Sequence, residues 1–268
     1  MQSNEYLMES DEEAFRLEIK TDGKVVKKQA FWAGIKPGMR VVDICCGSGK
    51  TSSILQKLVQ PSGTVLGVDG SGKRIEYAKE HYGVNGIEFK CKDIRRSLND
   101  LGMFDFVWVR FVLEYHLSNS FSLVKNLSNI VKPGGILCLI DLDYNSLCHF
   151  GLSQKLERAL FSVIKQLEEK TNFDPYAGRK LYSHLYRLGY HDIDVDVAAH
   201  HLIFGELRDI DAFNWMKKIE VISQKIDFHF EDYEGYEGFI KDFKKFFTNP
   251  KRFTYTPLIS CRGCKPLL

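Results

Sequence analysis

A chain of 268 residues, 44% of them hydrophobic, is long enough to bury one substantial core with an appended subdomain. With 37 basic against 35 acidic residues it carries no global field to attract nucleic acid, and no apolar run approaches a membrane span. An acidic start (Glu5, Glu9, Asp11, Glu12, Glu13) excludes a signal or transit peptide, and seven cysteines, four of them (Cys45, Cys46, Cys91, Cys138) in or beside core strands, point to a reducing, cytoplasmic compartment.

The first element is a helix begun by Ser10-Asp11-Glu12-Glu13 and continued by Phe15, Leu17 and Ile19, with a second helix over about residues 25–32 that stops at Gly34. Residues 40–44 then read as a buried strand that runs into Cys45-Cys46-Gly47-Ser48-Gly49 and opens a helix. Glycines there let backbone approach a ligand, and the helix start offers unpaired N–H groups. Three ligand classes use such a turn. A phosphate loop is suggested by Gly49-Lys50-Thr51 but lacks its first glycine, since position 44 is Ile, and so leaves Lys50 as a surface residue. A dinucleotide fingerprint lacks its third glycine, at Ser52. S-adenosylmethionine has no pyrophosphate and needs fewer glycines, and Asp43 can order the turn and the ligand's ammonium end. This third class fits best.

Further strands follow in order. Residues 64–69 end in Asp69, 20 positions beyond Gly49, where a carboxylate can accept from both ribose hydroxyls. Residues 87–91 form the third strand, after which Asp93 can take an adenine amino group and Ile94 can cover the ring. Residues 104–111 form the fourth strand, Lys132-Pro133-Gly134-Gly135 a turn, and residues 136–140 the fifth strand. Helices over 153–170 and 177–189, a half-buried strand at 192–198, two helical stretches within 208–248 and a closing strand at 252–260 complete the chain. The second of those stretches is rich in aromatics (Phe228, Phe230, Tyr233, Tyr236, Phe239, Phe243), which read first as core and second as the roof of an acceptor pocket.

These residues resemble the class I S-adenosylmethionine-dependent methyltransferases over roughly residues 35–145. Asp43-Ile44-Cys45-Cys46-Gly47-Ser48-Gly49 looks like the first motif of that family, Val68-Asp69 the second, Lys92-Asp93 the third, and Lys132-Pro133-Gly134-Gly135 the turn before its fifth strand. The resemblance implies an α/β fold: a Rossmann-like seven-stranded sheet with a reversed final hairpin and helices on both faces. An N-terminal helical cap (1–34) precedes a methyltransferase domain (35–268), made of a cofactor-binding half (35–145) and an acceptor-side elaboration (146–268). S-adenosyl-L-methionine is then the cofactor, bound by Asp43, Gly47, Ser48, Gly49, Asp69, Gly70, Asp93 and Ile94. Tyr6 and Arg16 of the cap reach the methionine or acceptor side, or else Tyr6 simply packs and Arg16 pairs with Glu12 or Glu13. Similarity is greatest to the small-molecule branch around ubiquinone and menaquinone biosynthesis, which implies a small-molecule acceptor.

Methyl transfer asks the protein for alignment, exclusion of water and, for some acceptors, removal of a proton. After the fourth strand, Arg110 can hold the cofactor's carboxylate, Phe111 can pack on it, and His116 can act as base or merely cap a helix. After the fifth, Tyr144 is the first choice to face the acceptor, with Tyr176, Arg179 and Tyr182 behind it. Asp141 and Asp143 suit a magnesium-dependent enzyme, but without a third oxygen ligand they read as turn-forming acids, so no metal is assigned. Cys261 and Cys264 have no second pair at metal-ligand spacing and read as incidental. The rival function is a protein or RNA methyltransferase, because Lys241, Lys244, Lys245, Lys251 and Arg252 interleave with aromatics. A cofactor-binding scaffold without turnover is the other.

Overall fold

Helix boundaries follow from local chemistry. Asp22 accepts from the Lys24 N–H and Gly34, at φ +97°, closes the helix between them; Ser71 and Ser153 cap later helices by accepting from Arg74 N–H and Leu156 N–H. The computed structural model describes residues 13–83, 86–225 and 232–267, without the side chains of 223–225. Tyr6, the expected helix start at residues 10–12, Phe228 and Phe230 therefore lie outside the described residues. In chain order the elements are α1 (Glu13–Lys20), α2 (Gly23–Ala33), β1 (Arg40–Ile44), α3 (Lys50–Val59), β2 (Thr64–Asp69), α4 (Gly72–Tyr82), β3 (Glu88–Cys91), β4 (Phe104–Arg110) and α5 (Ser120–Ser128). Then come β5 (Val131–Leu142), β6 (His149–Phe150), α6 (Gln154–Lys170), α7 (Leu181–Arg187), β7 (His191–Phe204), α8 (Asp209–Lys225), α9 (Gly235–Phe247) and β8 (Phe253–Cys264).

The strands form one sheet in the order β3-β2-β1-β4-β5-β8-β6, with β7 also paired to β8. The first five are parallel and β8 runs antiparallel to β5 and β7, the reversed hairpin that the resemblance implies. Alternation along the strands divides the apolar residues between two faces. Val42, Val107, Val109, Leu137 and Leu139 meet Leu123 and Leu127 of α5 and Leu181 of α7. Val41, Phe106, Trp108, Cys138 and Ile140 meet Ala30 of α2, Leu55 of α3 and Ala78 of α4. A third core joins α6, α8 and α9 around Leu160, Trp215 and Phe243.

Differences from the sequence reading have local causes. The sheet holds eight strands, because two-residue β6 pairs with the start of β8. β5 begins at Val131, five residues earlier than expected: Val131 pairs with Phe104 and Ile136 with Phe106, so the Lys132–Gly135 stretch is an outward bulge in the strand. Gly134 N–H donates to the Lys265 carbonyl and Lys265 N–H to that of Gly135, which holds the bulge against the chain's end. β7 runs on to Phe204 past an irregularity after His200 that breaks strict alternation, and β8 runs to Cys264 in regular register with β5. Among the described residues no helix is long and apolar enough to cross a membrane.

Candidate functional site

The C-terminal ends of β1, β2, β4 and β5 share one edge, with strand order reversing between β1 and β4. In parallel sheets ligands bind at such a switch point. The turn after β1 is held by Cys46 N–H donating to the Val68 carbonyl and Gly49 N–H to that of Cys46. Cys45, Gly47 and Gly49 all have positive φ, at 57°, 57° and 85°. At Gly49 a Cβ would stand 2.8 Å from Ala78 Cβ and 3.0 Å from the Phe89 ring, so glycine is required there for conformation and for space alike. Gly70, by contrast, borders open space. Burial pushes the thiols of Cys45 and Cys46 well up, so both pack beside the turn as neutral groups.

Two carboxylates flank the turn. Asp43, 3% exposed, accepts from Ser52 Oγ at 2.7 Å. Burial lifts its pKa to about 7, Ser52 opposes that, and Asp69 adds to it. Because the folded-state pKa is raised, the stability Asp43 contributes is complete below the unfolded value near 4 and is lost as pH rises through 7. Asp43→Asn keeps the acceptor for Ser52 and removes the ionisation. Its advantage over wild type in urea unfolding is expected to be larger at pH 8 than at pH 5; equal advantages would contradict a raised Asp43.

Asp69 accepts from Gly47 N–H at 3.0 Å, Ser71 N–H at 2.9 Å and the Arg74 guanidinium at 2.9 Å. It thereby ties β2 to the glycine turn and the start of α4. Asp93 is turned onto Arg95, with both side-chain contacts at 2.8 Å, which lowers its pKa. Ile94 is buried in the core beneath the sheet edge.

α1 lies over the turn. Ser48 Oγ and Tyr82 Oη donate to the Glu18 carboxylate at 3.2 and 2.8 Å, and Lys50 Nζ donates to the Glu18 carbonyl at 2.5 Å. Lys50 is therefore a fastening for α1, a tighter place than the surface position expected for it. Leu17 stands where a Cβ on Gly47 would clash. Arg16 forms a two-pronged pair with Glu13 at 2.7 Å, one of the two roles read for it.

At the end of β4, Arg110 stacks on Phe111 at 4.1 Å and donates to Gln29 Oε1 at 3.2 Å. Asp141 accepts from the N–H groups of Val112, Leu113 and Glu114, which folds the segment after β4 into a short turn of 3-10 helix. Asp143 pairs with Arg179 at 2.8 and 2.9 Å. Asp141 thus shapes the backbone after β4, and Asp143 holds Arg179.

A recess opens beside this edge between α1, α6, α8 and β7, with about 630 Å³ of empty space including its mouth. Lys20, Glu114, Tyr115, Asn145, Trp215 and Lys218 line it. Burial, with Arg16 next in effect, pushes the Lys20 ammonium down to about 7, and burial takes Lys218 to about 8. Neither His116 nor Tyr144 is among the lining residues. His116 sits against Asn119 at 3.3 Å, and burial lowers its pKa. Tyr144, at φ 47° and 42% exposed, is turned to Arg179 and Tyr176. The aromatics Phe239, Phe243, Phe246 and Phe247 of α9 are buried while Lys241, Lys244 and Lys245 are exposed, so on that helix the rings serve the core.

Sequence reasoning missed Lys20, Lys218, Asn145 and the histidine pair His200-His201. In a regular strand adjacent histidines point to opposite faces. Here His201 has φ 50° and the β7–β8 register slips by one residue between His200 and Ile203, which brings the two rings to 3.9 Å.

The donor set tests which nucleotide-like ligand suits the edge. Two acids beside one glycine turn, with Asp69 adding to the raised pKa of Asp43, oppose a pyrophosphate and suit a ligand with an ammonium group and a ribose diol. Known proteins agree. A family model described as a methyltransferase domain matches residues 35–204, and the chain belongs to that family, the S-adenosylmethionine-dependent methyltransferases. Demethylmenaquinone methyltransferase of Staphylococcus aureus is 30% identical over 108 residues, 40% of this chain and 44% of the relative, so the chain spans less than half of that relative's length. Among solved structures the fold is similar to the YcgJ protein of Bacillus subtilis (TM-score 0.57, 14% identity, 91% of this chain and 99% of that one). It is also similar to phosphoethanolamine N-methyltransferase 2 of Haemonchus contortus, solved with S-adenosyl-L-methionine (TM-score 0.57, 16% identity, 96% and 57%).

Proposed function

We propose that this chain transfers a methyl group from S-adenosyl-L-methionine to a small-molecule acceptor held in the recess between α1, α6, α8 and β7. The observation that carries the reading is adjacency: Glu114, just past β4, which pairs with β1, and Leu142 and Asn145, at and just past the end of the next strand β5, are also walls of the recess. The cofactor supplies an activated methyl group on a sulfonium, with a neutral thioether as leaving group. Gly47, Ser48 and Gly49 would take its amino-acid end, with Asp43 ordering the turn from below, and Asp69 its ribose. Arg110, kept cationic by Asp43 and Asp141 despite burial, is placed for its carboxylate. Asp93 and Ile94 border the adenine end, and Phe111 packs against Arg110.

In the recess, the apolar side chains of Ile164, Leu167, Phe173 and Ile222 exclude water from the acceptor. Lys20, poised near neutral pH, is the group there able to accept a proton from an acceptor hydroxyl or amine. His116 and Tyr144 lie outside the lining, against Asn119 and against Arg179 and Tyr176. A soluble, cytoplasmic setting with no nucleic-acid partner goes with this reading.

The test is to titrate S-adenosylhomocysteine, ATP and NADH by calorimetry, then to follow S-adenosylhomocysteine release with a panel of small phenols, quinols, amines and acids. The expected outcome is tight binding of S-adenosylhomocysteine and release with a member of the panel. Preference for ATP or NADH, or methylation of RNA or protein with no small molecule methylated, would overturn it.

A further inference from the structure

The recess holds more positive than negative charge, and more polar atoms than partners for them. Lys218, from α8, donates to Asn145 Oδ1 at 2.8 Å and Ser146 Oγ at 2.6 Å, which fixes its ammonium with one N–H bond to spare. Among the described residues neither Lys218 nor Lys20 forms a salt bridge. Glu114 is the carboxylate in the lining, and it is occupied by Asn145 Nδ2 at 2.5 Å. Arg16 is already paired with Glu13. Lys20, lying 5.2 Å from the Phe111 ring, has Lys218 among the charges that depress it.

The same walls carry His201 Nε2, Asn214 Oδ1 and Trp215 Nε1, each buried and each without a hydrogen-bond partner among the described residues. Buried polar atoms are ordinarily paired, so several orphans around one cavity mark a place that a ligand completes. The same lining includes the apolar Ile164 and Leu167 of α6, Phe173 and Ile222. A ligand with an apolar body and an oxyanion head matches both kinds of lining at once. The cofactor's own carboxylate has Arg110, which is not among the lining residues.

We propose that the acceptor is an amphiphilic acid, a carboxylate or a phosphate ester, whose oxyanion is held by the Lys218 ammonium with the indole N–H of Trp215, while its apolar body lies along α6. This deepens the methyl-transfer reading and rests on it for calling the ligand an acceptor; the anion site itself is testable without it.

Benzoate, phenyl phosphate and neutral benzyl alcohol are titrated calorimetrically into the protein with and without saturating S-adenosylhomocysteine. The expected result is binding of at least one anion about tenfold or more tighter than benzyl alcohol, undisturbed by S-adenosylhomocysteine. Lys218→Met should erase that preference and Lys218→Arg restore it to within about threefold, with S-adenosylhomocysteine affinity changed by less than about twofold. Trp215→Phe, which keeps the ring and removes the N–H, should weaken the anion about threefold and serves if Lys218→Met does not fold. Equal binding of benzyl alcohol and the anions would overturn the proposal. So would unchanged anion affinity in the Lys218 and Trp215 variants, or competition between the anions and S-adenosylhomocysteine. If S-adenosylhomocysteine fails to bind while the anions still do, the methyl-transfer reading falls and the anion site stands.

Discussion

Asp69→Ala is expected to weaken S-adenosylhomocysteine binding by about 2–4 kcal/mol, roughly thirty- to a thousandfold, in calorimetric titration. Two losses combine. The ribose hydroxyls lose a charged acceptor, and the protein loses the carboxylate that engages Gly47 N–H, Ser71 N–H and Arg74 together. Arg74, only about a tenth exposed at its side chain, would lose its contact with Asp69. Asp69→Asn retains one acceptor oxygen and should fall between. An unchanged affinity for Asp69→Ala would remove the residue from the cofactor site.

Gly49→Val is expected to cost about 3 kcal/mol or more in folding stability and to abolish cofactor binding, read by urea denaturation and by calorimetry. The new branch would enter the space between Ala78 and Phe89, in a conformation at φ +85° that β-branched residues avoid. Gly49 also begins α3, its carbonyl accepting from Ser53 N–H, so a shift there moves the whole turn. Gly70→Ala, facing open space, is the matched control and should fold like wild type. Equal stability of Gly49→Val and Gly70→Ala would contradict the close packing at the turn.

The cofactor edge was legible in the sequence because each of its parts is local. A strand, a glycine turn, the helix it opens and an acid at the next strand's end are all set by neighbouring residues, and they reappear as β1, the Cys45–Gly49 turn, α3 and Asp69. The strand extensions were not legible, because bulges at Lys132–Gly135 and at His201 leave no mark in a period-two pattern. Tyr144 looked inward from its place after β5, but a left-handed backbone at φ 47° sends it out to Arg179. The recess was the least legible part. Lys20 from α1 and Lys218 from α8 stand at opposite ends of the chain, and only the packing of α1 against α8 brings them to one cavity. Trp215 and Lys218 did fall on a helix read correctly, but nothing in that helix says which of its polar residues meets a cavity.

α1 touches both halves of the chemistry. Leu17 and Glu18 rest on the glycine turn while Lys20, one turn or less along the same helix, reaches the recess. Both places thus depend on how α1 is seated, so a substitution that unseats it, such as Glu18→Ala, is expected to weaken binding in each.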